Sequence, residues 1–171
     1  MIRNDYLFHV GYGLCRVIGE VTKNVNGKIK QYLKLQDVQN EDTYIYVPID
    51  QIDDRTRPFA KPEVMKEHLD AIISTPYRQE AKYHERWKKI SNMVALTDLE
   101  ERFDLLIYLH DGKVRNEKEE RSMPKRERVL YEKAIHQLAI EAALALHLDL
   151  SDATKYLNGQ LKKRSTRLLN T

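Results

Sequence analysis

Arg78, Lys82, Arg86 and Lys89 recur at i, i+4, i+8 and i+11, a spacing that puts four cations on one face of a helix. Lys88 adds a further cation, and Tyr83 and Trp87, the chain's only tryptophan, stand four apart on an adjoining face. Such a face suits a nucleic acid: cations hold the phosphate backbone while a ring presses against a base step. It is equally the pattern of an ordinary amphipathic helix with a solvated side, so the remaining residues must decide.

Other chemistries lack their residues. The six glycines are scattered and form no phosphate-cradling loop. His9, His68, His84, His110, His136 and His147 show no His-x-x-x-His or Cys–His spacing, so no metal site and no cofactor are expected. No serine sits in a nucleophile-elbow pattern. Cys15, the only cysteine, lies in a β-patterned run and reads as a small packed residue. The expectation is a protein that is not an enzyme.

The elements that position these residues fall into two halves of different period. Over residues 1–57, Leu14–Val21, Ile29–Val38 and Thr43–Val47 are β-branched or alternating runs. Asn26-Gly27 between the first two is a type I′ hairpin signal, because both residues tolerate positive φ. Four or five short antiparallel strands in this space suggest a small SH3-like or Tudor-like barrel. Its eight basic and eight acidic residues cancel, so the net charge of +3 belongs to the remainder. Pro58 and Pro62 break the pattern and place a linker at residues 58–61.

From Pro62 the period is helical to the end, residues 62–171. Met65, Leu69, Ile72 and Ile73 share one face; Tyr83, Trp87, Ile90 and Val94 share the next. Asp98 is placed to cap a third helix that Asp111-Gly112 should stop. Lys113–Arg121 reads as a solvated loop or short helix, Ser122–Pro124 opens the longest helix, and Ser151 caps the last one. The basic run Lys162–Arg167 is expected to fray. The fold class is therefore α+β, a small β-barrel domain followed by an all-α domain of about five helices.

With 171 residues, 42% hydrophobic and 32% charged, the chain can bury a core and still expose long charged helices. A lone cysteine fits a reducing cytoplasm. Met1–Tyr6 carries no apolar h-region, and no apolar run approaches ~18 residues, so neither a signal peptide nor a membrane span is expected.

Several stretches in fixed order carry a family resemblance: the Gly11–Gly13 turn, Asn26–Lys28, Gln31–Leu35, Val47-Pro48, Arg86–Lys88, Glu127-Arg128 with Lys133-Ala134, and Leu138–Ala142. Together they resemble the CarD (CdnL) family of bacterial transcription regulators, and the β half is similar to the RNA-polymerase-interacting domain of transcription-repair coupling factors. The resemblance implies a β domain that adds a strand to the RNA polymerase β subunit. It implies a helical domain that touches promoter DNA at the upstream edge of the −10 element, where an aromatic wedge stabilises the open complex. Carried over by position, Lys23 and the strand Tyr44, Ile45 and Tyr46 face polymerase, with Tyr46 standing where the family has a basic residue. Tyr83 takes the wedge position and Trp87 packs in the helical core; a one-turn shift would make Trp87 the wedge. Lys82, Arg86, Lys88 and Lys89, with Lys125 and Arg126 at the start of the long helix, become phosphate contacts that position without reading sequence. A monomer is expected, and the resemblance implies that it acts on polymerase and promoter. A free-standing DNA-binding protein and a protein–protein adaptor remain the competing readings.

Overall fold

The computed structural model describes residues 5–79 and 82–171, and the chain divides into two compact units, Met1–Phe59 and Ala60–Thr171. The division falls inside the stretch read as a linker. Ala60 is already buried in the second unit, where its backbone N–H donates to Glu141 Oε1 at 2.9 Å.

The first unit contains β1 (Tyr6–His9), β2 (Gly13–Val25), β3 (Lys28–Asp37), β4 (Tyr44–Pro48), a 3-10 turn (Ile49–Gln51), a single helical turn α1 (Ile52–Arg55) and β5 (Thr56–Pro58). All neighbouring strands are antiparallel, in the order β4-β3-β2-β1-β5. The five short antiparallel strands expected from the sequence are present in this order, and among the described residues no ladder joins β4 to β5. The β2–β3 hairpin turns at Asn26 and Gly27, with φ of 54° and 78°, as the type I′ signal requires. A register shift between Val17 and Gly19 re-aims β2, and beyond it the hairpin runs out past the core. Cys15, Val17, Leu33, Leu35 and Val47 form that core, whereas every residue from Thr22 to Gln31 is exposed.

Among the described residues the second unit has five helices: α2 (Pro62–Ala71), α3 (Tyr83–Val94), α4 (Leu99–Lys118), α5 (Lys125–Leu146) and α6 (Leu150–Leu169). Pro62 opens α2, where its missing N–H costs nothing. One apolar core gathers Met65, Leu69, Ile90, Phe103, Leu106, Leu138, Leu157 and Leu161 from all five.

Three expected boundaries are corrected. Asp111-Gly112 does not stop α4, which runs through both to Lys118. A Cβ on Gly112 would come within 2.7 Å of Arg86 Cζ, so the glycine makes room for a side chain from α3 instead of ending a helix. The last helix begins at Leu150 after Asp149, with no side-chain cap bond, so Ser151 is not its cap. Finally, the basic run Lys162–Arg167 lies inside α6 and is held. Arg164 is fully buried, bonding Asp111 Oδ1 and Oδ2 at 2.7 and 2.6 Å and the Ile72 and Thr75 carbonyls at 2.7 and 2.6 Å. Those carbonyls follow the end of α2, where orphan acceptors and the helix dipole favour a cation. Arg167 adds bonds to the Ile73 and Thr75 carbonyls.

Candidate functional site

On the helical unit, α3 and the first turns of α5 build an aromatic and cationic surface. Tyr83 is the first residue of α3 and 56% exposed. Trp87, one turn on, is half-buried and packs against the helical core. Exposed Arg126, from the first turn of α5, lies over the Trp87 ring with Cζ 3.6 Å from its centroid, and it donates a hydrogen bond to the Tyr83 hydroxyl. Beside this cluster opens a groove of about 850 Å³, walled by Tyr83, Trp87, Ser91 and Val94 on α3 and by Pro124, Lys125, Val129 and Leu130 on the α5 side.

The basic stripe read from the sequence does not survive folding as one face. Arg78 precedes the helix, and Lys82 is its exposed N-cap. Arg86 is 3% exposed, with Nε 2.9 Å from Glu127 Oε1 and Nη2 3.1 Å from Oε2, and it also donates to Gln79. It is therefore removed from the phosphate contacts: an arginine that crosses the core to a carboxylate has no reach to solvent. Lys89 turns toward α4, with Nζ 4.9 Å from the Tyr108 ring centroid. Arg78 and Lys89 line a polar cavity of about 270 Å³ with Glu100 and Asp104. Burial, followed by repulsion from Glu100, raises the Asp104 carboxyl above its usual range. Lys88, Lys125 and Arg126 remain exposed.

On the β unit, β4 pairs with β3, and among the described residues no strand pairs with its other edge. Tyr44 and Tyr46 stand out from it at 45% and 38% exposure, while Ile45 and Val47 turn toward the core. Lys23 Nζ lies 3.3 Å from the Tyr46 ring centroid and Lys34 Nζ 4.2 Å from the Tyr44 ring centroid. The register sets Lys34 opposite Tyr46 and Lys23 opposite Lys30, so lysines and tyrosines share one face of the sheet. The carboxylates of β2 and β3 lie elsewhere: Asp37 is buried, and Glu20 pairs across from Leu33 on the other face. A half that is neutral by count thus carries a cationic face.

Residues 2–60 match the family described as the CarD-like/TRCF RID domain. The chain carries a CarD-like domain. A domain of this family interacts with RNA polymerase, and the match spans the whole five-stranded sheet. No curated protein matches the chain.

Burial also governs two titratable groups of the CarD-like unit. Burial, then the charge of Asp37, pushes the Cys15 thiol up to about 12, so it stays protonated and packed. Burial, with Arg55 nearby, holds His9 below the usual imidazole range. Outside this unit, sequence reasoning missed two ion pairs that cross the helical core, Arg86–Glu127 and Arg164–Asp111. A glycine inside a helical period was the available signal for the first: Gly112 marks where the Arg86 guanidinium passes. The second had none, because Asp111 and Arg164 are 53 residues apart and both look solvated by pattern. Arg126, read as a backbone contact, is exposed and stacked on Trp87.

Proposed function

We propose that this protein is a non-enzymatic transcription regulator that docks on the RNA polymerase β subunit and contacts promoter DNA, tuning the stability of the open complex. The match of residues 2–60 to a polymerase-interacting domain carries the reading. The docking element is the free edge of β4, where backbone groups can accept another strand without demanding particular side chains. Lys23 and Tyr46, stacked beside that edge, supply the cationic flank that an acidic partner needs. Tyr46 replaces the arginine-type anchor of the family, so docking relies more on backbone pairing and less on a bidentate ion pair.

Promoter contact is assigned to the helical unit at the upstream edge of the −10 element. Tyr83 is the exposed ring of α3 and Trp87 its half-buried support. Lys82, Lys88, Lys125 and Arg126 are the exposed cations around them. Delivery by polymerase raises the local concentration of this surface, so its own affinity for DNA can be weak.

The test is retention of the full chain on core polymerase and the lifetime of promoter complexes. Lys23→Glu with Tyr46→Glu should abolish retention. Tyr83→Ala should leave retention intact and shorten the complexes. Undiminished retention of the β-unit double variant would remove the docking assignment.

A further inference from the structure

The groove between α3 and α5 has features that a ring wedged from outside does not need. Its walls are apolar, and Val129 lies open at 54% exposure. Its mouth is cationic: Lys125 and Arg126 occupy the first turn of a 22-residue helix, whose free N–H groups also attract anions. The single acidic residue of that turn, Glu127, is 1% exposed and neutralised by Arg86, so it does not repel a phosphate there. Arg126 is held in place twice, by the Trp87 ring under it and by the Tyr83 hydroxyl that accepts its hydrogen bond. A guanidinium pinned over an indole offers a flat cationic surface, and bases stack on such surfaces.

We propose that this groove is a receptor for one unstacked base of single-stranded DNA: the base lies on the Arg126 guanidinium and against Val129, and the adjoining phosphate sits at Lys125. Trp87 and Tyr83 act as positioning residues for Arg126. An apolar floor with a phosphate-seeking rim is complementary to a nucleotide, which is apolar on its base faces and anionic at its backbone. The inference deepens the promoter-contact reading and rests on it.

Trp87 is the chain's only tryptophan, so its emission reports on the groove directly. The probes are a short oligothymidylate and an abasic strand of the same length, titrated into the full chain. The oligothymidylate should change Trp87 emission saturably, and the abasic strand should bind about tenfold more weakly. Arg126→Lys keeps the charge and loses the plane, and should cost about tenfold for oligothymidylate with little change for the abasic strand. Val129→Glu should abolish the response to both. Equal binding of the two strands, an unaltered Arg126→Lys protein, or no emission change would overturn the receptor. An apolar peptide that competes while the strands do not would give the groove to a protein partner and equally overturn it. The promoter reading fails separately: if Tyr83→Ala leaves promoter-complex lifetime unchanged while oligothymidylate still binds, the receptor stands without that role.

Discussion

The two units handle charge in opposite ways. The CarD-like unit keeps its lysines outside, on the sheet face and hairpin, and closes its core with Val17, Leu33, Leu35 and Val47. The helical unit draws Arg86, Arg102 and Arg164 inside, together with Asp111, Glu127 and Glu141. Two of these arginines finish a neighbouring helix: Arg164 bonds carbonyls just after α2, and Arg102 reaches the Val94 carbonyl at the end of α3. A sheet satisfies its own backbone along its ladders. A helix leaves four carbonyls open at its C-terminus, and in a crowded bundle a long cation from the next helix is a ready donor. The lesson is that a basic residue in a helical repeat is not, by type alone, available to a ligand.

The contrast can be broken most severely at Arg164. Arg164→Met should cost about 3–5 kcal/mol, since it leaves Asp111 buried without a partner, and Arg164→Met with Asp111→Leu should recover much of that. Urea unfolding of the two variants checks the pair, and an additive double variant would deny their coupling. In the CarD-like unit the comparable loss should come from an apolar site: Leu35→Ala is expected to cost about 2–5 kcal/mol.

Acid should also strike the helical unit first. His110 bonds the Tyr131 hydroxyl at 2.7 Å through Nδ1 and Ser165 at 2.8 Å through Nε2, and burial lowers its pKa to about 4. The unfolded chain, with an imidazole near 6.5, binds the proton more readily, so stability is complete above about pH 6.5 and falls as pH drops toward 4. The loss should reach roughly 3 kcal/mol, and His110→Gln should flatten the slope of unfolding free energy across that window.

Smaller effects sharpen the same comparison at two glycines. Alanine normally gains about 1 kcal/mol over glycine in a helix interior. At Gly112 it should instead destabilise by about 1–3 kcal/mol, because the added methyl displaces the Arg86 guanidinium. At Gly27, where nothing crowds the position, Gly27→Ala should cost about 1 kcal/mol through its positive φ alone. Thermal melts of the two variants separate a packing cause from a backbone one.

The legible parts of this protein were those written in local rules. Asn26-Gly27 announced its hairpin, Pro62 its helix start, and the change of hydrophobic period the passage from sheet to helices. At the candidate site the rings were legible and the cations only in part. Tyr83 and Trp87 were found by type and spacing, but Arg86 was assigned to solvent because its partner Glu127 is 41 residues away. A similar distance in sequence hid the stacking of Arg126 on Trp87, 39 positions earlier in the numbering.

What the residues determined by themselves was the α+β division, the three longer strand runs and the Asn26-Gly27 turn of the CarD-like unit, and the kind of chemistry available: cations and rings. Tertiary structure alone decided which cations are free. That choice depends on where orphan carbonyls and buried carboxylates fall once helices pack, and no local period encodes it. Packing consumed Arg86 and Arg164, turned Lys89 toward α4, and left Lys125 and Arg126 at the groove beside the two rings.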